Sequence, residues 1–116
     1  MRLCDDHLVN QERANHNLPA LKKSSFLENL ANMHALALAT RGRVEHSAND
    51  VQELQARLHS KCVGENVQSG ASVRAMHEAQ SDVLRRNILG NFNQFGVGTA
   101  KGTDGKIYMC QLFRTV

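Results

Sequence analysis

Few side chains in this sequence are able to do chemistry, and they are scattered. Its 116 residues include six histidines, three cysteines and eleven Asp and Glu side chains. No His-x-x-x-His and no Cys-x-x-Cys occurs, the spacings that bring two metal ligands onto one helix face or one turn. His46-Ser47 sets an imidazole beside a hydroxyl, the pair a serine hydrolase uses. Neighbours on an extended chain point to opposite sides, however, and no Gly-x-Ser-x-Gly elbow is present, so acyl transfer on Ser47 is not expected. Glu65, within Gly64-Glu65-Asn66, and the pair His77-Glu78 complete the polar candidates. Zinc takes three or four N, S or O ligands at about 2.0 to 2.3 Å. His46 with Glu65 supplies two, so a divalent metal on His46 needs His77 or Glu78 to swing in. His34 lies among aliphatic neighbours and reads as a hydrogen-bonded core histidine rather than a ligand.

The cysteines offer a covalent possibility. Cys62 directly precedes a strand-like segment and Cys110 lies in the terminal one. Neighbouring positions in one sheet would bring their Cα atoms within the ~4.4 to 6.8 Å a disulfide needs. A Cys62–Cys110 bridge is therefore an expectation, with Cys4 left over. An odd count suits a reduced compartment as well as one bridge plus a free thiol.

The elements that must position these groups follow from periodicity and punctuation. Asp5 to Asn15 reads as a short helix with acidic residues at its head. Pro19, in Leu18-Pro19-Ala20-Leu21, imposes an extended linker. Ser25 with Glu28 forms a capping box, and Leu27, Leu30, Ala31, His34, Ala37 and Leu38 make one apolar stripe of a helix to about Arg41, where Gly42 supplies a left-handed cap. Asp50 and Glu53 open a third helix carrying Val51, Leu54 and Leu58. Val63 to Gln68 reads as a strand ended by Ser69-Gly70, and Ser72 opens a fourth helix through Met76, Gln80 and Leu84, finishing before Gly90.

Phe95 to Ala100 and Ile107 to Phe113 flank Asp104-Gly105 as a hairpin. In its second arm Ile107, Met109 and Phe113 face one way, and Tyr108, Cys110 and Leu112 the other. Both faces are apolar, so the sheet is covered on both sides. Gly96 and Gly98 strip one face of the first arm of side chains, which implies close approach of another backbone or helix. The fold class is α+β: a three-layer α-β-α sandwich around a central, mainly antiparallel sheet, in one domain spanning 1–116.

Composition excludes several functions. The net charge of +3 is spread in single residues and short pairs without interleaved aromatics, which argues against nucleic acid as partner. No run of 18 or more apolar residues is present to span a membrane, and no apolar signal run follows Met1.

Seven fragments in order resemble one family. They are Leu8-Val9-Asn10-Gln11-Glu12-Arg13, Leu18-Pro19-Ala20-Leu21, Met33-His34-Ala35, His46-Ser47, Gly64-Glu65-Asn66-Val67, Asn87-Ile88-Leu89 and Phe95-Gly96-Val97-Gly98. Together they are similar to CAP (SCP) domains, the cysteine-rich secretory, antigen 5 and pathogenesis-related proteins, in their short microbial form. The resemblance implies a secreted domain, its signal peptide removed, with a cleft of two histidines and two acidic residues that in many members binds a divalent metal. His46 matches the first histidine and Glu65 the glutamate; Glu78 falls near the second acid. Leu84 stands where the second histidine belongs, and the usual tryptophan upstream is missing.

Two functions follow. One is a non-catalytic binding module without a required cofactor, its cleft between His46, Glu65 and the helix of His77 and Glu78 holding a small apolar or lipid ligand or a protein partner. The other is a metal-assisted hydrolase or protease using His46 and Glu65. His46 and Glu65 also have a purely structural role open to them, as a hydrogen-bonded pair that orders the loop over the sheet.

Overall fold

The computed structural model describes residues 12–80, 88 and 92–116. After a helical turn at 12–15 come β1 (Lys22–Lys23), α1 (Ser25–Arg41), α2 (Val51–Leu58), β2 (Val63–Gly70), α3 (Val73–Glu78), β3 (Gln94–Lys101) and β4 (Ile107–Arg114). The sheet has the order β1-β3-β4-β2, with β1 parallel to β3 and the other pairs antiparallel. Of the first predicted helix only 12–15 lies within the described residues, and Cys4 lies outside them.

α1 is capped by Ser24, one residue ahead of the predicted Ser25. The Ser24 hydroxyl accepts from the Leu27 amide at 3.2 Å, and Gly42 closes the helix at φ 70°, returning its N–H to the Leu38 carbonyl. The two caps satisfy backbone groups that a helix end leaves without partners. Leu27, Ala31, Ala35 and Leu38 are buried on its inner face and pack with Cys110, Leu112 and Tyr108 of β4. That approach is close because β3 offers no side chains there. A Cβ built on Gly96 would lie 2.3 Å from the Glu28 amide nitrogen, and one on Gly98 2.3 Å from the Ala31 carbonyl carbon. The two glycines thus seat the helix backbone on the sheet, as their pairing in the sequence predicts.

The other face of the sheet carries Phe95, Val97, Met109 and Phe113, which pack with Leu21, Val73, Met76 and Ile88. β4 is therefore buried on both sides, with the predicted division of its side chains. Two layers of helix enclose the sheet. The Arg13 guanidinium ties the second layer together, donating to the Pro19 carbonyl at 2.7 Å and the Ile88 carbonyl at 2.8 Å. Its burial lowers its pKa from the usual arginine value.

Three expectations need correction. β1 has no counterpart in the sequence reading: Lys22 and Lys23 pair in parallel with Gln94 and Phe95, far along the chain, a contact that local pattern does not carry. α3 stops at Glu78, with Ala79 as its cap, rather than running on to Leu84. Leu84 itself lies outside the described residues. The Cys62–Cys110 bridge is absent, and both are free thiols, Cys62 exposed and Cys110 buried. β2 and β4 are indeed neighbours, but their register sets Cys110 opposite Val67, while the Cys62 carbonyl accepts from the Thr115 amide at 3.1 Å. Five residues of strand separate the two positions, about 17 Å at ~3.4 Å per residue, far beyond disulfide reach.

Candidate functional site

The site is built around one buried carboxylate. β2 alternates its side chains, so Glu65 shares the α1 and α2 face with Val63 and Val67. There its side chain is only 2% exposed. An isolated anion in such a place is costly unless donors surround it. Four do. Oε1 accepts from His46 Nδ1 at 2.8 Å and from the Ser47 amide at 2.9 Å. Oε2 accepts from the Ser47 hydroxyl in a very short bond and from the Cys110 thiol at 3.8 Å.

The loop from α1 to α2 delivers two of these residues at once. After Gly42 the chain leaves α1 without regular structure and bends through Ser47 to Asp50. Asp50 then caps α2, accepting from the Glu53 amide at 2.8 Å, while Glu53 accepts from the Asn49 amide at 2.8 Å. The Ser47 carbonyl is held in turn by the Arg57 guanidinium at 2.5 Å. Because the chain bends here, His46 and Ser47 converge on Glu65, whereas an extended chain would set them on opposite sides. Ser47 and Cys110 are thus members that sequence reasoning missed. The sequence held one signal for them: a buried glutamate on an apolar strand face requires several donors.

A carboxylate can only accept, so His46 Nδ1 carries its proton inward, and in the neutral ring the Nε2 lone pair faces outward. The ring is well exposed, its side chain 64% accessible. Cys110 behaves oppositely: burial first, then the nearby Glu65 charge and hydrogen bond, push its thiol well above the ordinary value, so it remains protonated and unreactive. His34 donates its Nε2 proton to the Glu45 carbonyl at 2.7 Å, the hydrogen bond expected of it, but it is half-buried at the α1–α2 groove rather than in the core.

Two grooves flank His46. One, about 330 Å³, runs between α1 and α2; aliphatic side chains such as Leu30, Leu54 and Leu112 line it together with the polar His34, Arg41 and Arg57. The other, about 320 Å³, lies between the 46–50 loop and the start of β2. Neither is lined by His77 or Glu78. Those two ride on α3, whose Val73 and Met76 pack on the opposite sheet face; His77 is buried there and Glu78 exposed. The structure therefore brings His46 and Glu65 together and leaves His77 and Glu78 out of both grooves. Among the described residues no three His, Cys, Asp or Glu side chains cluster as metal ligands would, and the four donors already on Glu65 compete for its lone pairs.

A family model described as "CAP: Cysteine-rich secretory protein family" matches residues 7–113. No curated protein matches by sequence. Among solved structures, an outer surface protein of Borrelia burgdorferi superposes with a TM-score of 0.80 at 19% identity, over 95% of this chain and 88% of that one. An extracellular protein with an SCP domain from Bacillus anthracis gives 0.81 at 24%, over 99% of this chain and 40% of that chain. A cysteine-rich secretory protein of Staphylococcus aureus gives 0.73 at 21%, over 97% and 37%. The chain thus spans about two fifths of the last two. These likenesses concern the fold.

Proposed function

The chain belongs to the cysteine-rich secretory protein (CAP) family, and on that footing we propose that it is a secreted, non-catalytic binding module whose groove between α1 and α2 takes a small apolar ligand. The observation that carries this reading is the saturation of Glu65. Its oxygens accept from His46, from the Ser47 amide and hydroxyl and from Cys110, so the carboxylate serves as a clamp for the loop rather than as a base or a metal ligand. What the loop then borders is a groove of six aliphatic side chains, Leu30, Met33, Ala37, Leu54, Leu58 and Leu112, interspersed with the polar His34, Arg41, His46, Ser47 and Arg57. Such a mixed lining suits an apolar body that carries a polar group, the aliphatic side chains taking the first and the polar ones the second. Location outside the cell is supported by relatives described as outer surface or extracellular proteins. No helix among the described residues is long and apolar enough to cross a membrane.

A second reading, a metal-assisted hydrolase, draws on one observation: the exposed His46 ring, with Nδ1 held by Glu65, presents Nε2 as an acceptor toward solvent. The readings part in two titrations. A dansyl-labelled undecanoic acid should bind saturably to the wild-type protein and at least tenfold more weakly to Ala37→Phe, which fills the groove. Equal affinity for both proteins defeats the apolar-ligand reading. Sub-micromolar zinc binding by calorimetry, abolished in His46→Ala, would establish the second reading instead.

A further inference from the structure

β2 lies at the edge of the sheet, with β4 as its one neighbour among the described residues. Which of its main-chain groups face that neighbour follows from the bond that the Thr115 amide donates to the Cys62 carbonyl. Bonded and non-bonded pairs alternate along an antiparallel ladder. Gly64, Asn66, Gln68 and Gly70 therefore exchange bonds with β4, and Val63, Glu65, Val67 and Ser69 turn their N–H and C=O outward. The far side of β4 fixes the same phase: the Gly102 amide donates to the Lys106 carbonyl at 2.8 Å, which aims Tyr108, Cys110 and Leu112 at β3 and Met109, Gln111 and Phe113 at β2. Among the described residues no hydrogen bond reaches the outward groups of Val63, Val67 and Ser69, and all three residues are partly exposed.

The two edges of the sheet are treated differently. On one side β1 is nothing but the exposed pair Lys22-Lys23, and β3 ends in exposed Lys101. Lysines and short strands are the usual means of blunting an edge. β2 runs eight residues in unbroken register without lysine, arginine or proline, and its single charge, Glu65, is turned onto the sheet face and satisfied there. Grooves lie along both of its faces. One is lined by Ala48, Leu54 and Val63 together with the polar His46, Asn49 and Asp50, the other by Gln68, Ser69, Ala75, Met76 and Ala79, with about 430 Å³ of space. Successive side chains of an added strand would drop into them alternately.

We propose that the outer edge of β2 is a docking site for an extended peptide segment of a partner protein, which joins the sheet as a further strand. Main-chain pairing to Val63, Val67 and Ser69 would supply affinity, and the grooves would select small-to-medium side chains, apolar on the α3 side and uncharged polar on the side of the 46–50 loop. A single extended strand needs only this open edge and the two grooves beside it. This site meets the α1–α2 groove only at His46 and Leu54, and Ala37→Phe and Ser69→Pro each alter one without the other, so either can fail alone.

The probe is an acetylated, amidated peptide of alternating valine and threonine with a lysine at each end, titrated into the labelled protein by NMR. The expected result is saturable shift changes at the Val63, Val67 and Ser69 amides. N-methylation of the peptide at alternate residues of one parity should weaken binding more than tenfold, and of the other parity hardly at all. Ser69→Pro, which removes an outward N–H and no ladder bond, should weaken binding as much while the melting temperature holds within a few degrees. No shifts up to millimolar peptide, or equal binding by both N-methylated forms, overturns the proposal. Sedimentation showing a dimer that Ser69→Pro abolishes also overturns it, in favour of a second copy as occupant.

Discussion

Replacing Glu65 by glutamine tests the clamp directly. The substitution preserves shape and removes the charge. Bonds to a charged acceptor are worth about 1.5–3 kcal/mol and neutral ones about 0.5–1.5. The two donors on Oε1, His46 Nδ1 and the Ser47 amide, would each lose about 1 kcal/mol even if the amide oxygen takes that place. At the second position an NH2 cannot accept from the Ser47 hydroxyl, which must rotate and accept instead, and the weak bond from Cys110 disappears. Burying a neutral amide in place of an anion recovers part of the loss, leaving about 1–2 kcal/mol. At roughly 4 °C per kcal/mol for a domain of this size, Glu65→Gln should melt about 4–8 °C below wild type. The sharper readout is a double-mutant cycle in urea. Ser47→Ala should cost about 1 kcal/mol less when combined with Glu65→Gln than alone, because its partner has already changed. Melting within about 1 °C of wild type, or a Ser47→Ala cost identical in both backgrounds, would refute the idea that this carboxylate organises the loop.

Two further outcomes follow from the sheet. Gly98→Ala places a Cβ 2.3 Å from backbone atoms of Ala31 and Asn32, which no side-chain rotation relieves, so urea denaturation should show a loss of about 3 kcal/mol; unchanged stability would mean α1 sits farther from β3. In the β3–β4 turn, the Tyr108 hydroxyl first, at 2.6 Å, and then the Lys106 amide hold the Asp104 carboxyl below its ordinary pKa. A folded value below the unfolded one contributes stability above the unfolded pKa and loses it as pH falls through the folded value. The hydrogen-exchange protection factor of the Lys106 amide should therefore drop below about pH 4 in the wild type and stay flat in Asp104→Asn.

What could be read from the sequence was whatever is local or periodic. The end of α1 at Arg41 needed only Gly42 and its tolerance of positive φ. The two faces of β4 needed only alternation. Gly96 and Gly98 announced a close neighbour, though not that it was α1. Misreadings came from quantities with no local signature. Strand register separates Cys62 from Cys110 although their strands are adjacent. Tertiary contact recruits Lys22-Lys23, two residues without β propensity, into a parallel pair. Helical spacing continues past Glu78, yet α3 ends there, where the Gln80 side chain turns to Gln68 and Gln111 on the sheet. At the site, motif order singled out His46 and Glu65, which share one hydrogen bond, while the bend that adds Ser47 depends on the Arg57 contact and the Asp50 cap, neither visible as a pattern.

The strand that holds the sheet together is the last of the four to be synthesised. β2 and β3 each pair with β4 and not with each other, so until Ile107 to Arg114 has emerged a nascent chain lacks the partner both of them need. α1, whose inner face rests on β3 and β4, must wait as well. Assembly is consequently a late event with large sequence separation, slow by comparison with helical bundles. Through that interval the apolar segments of the middle of the chain depend on whatever shields them from aggregation.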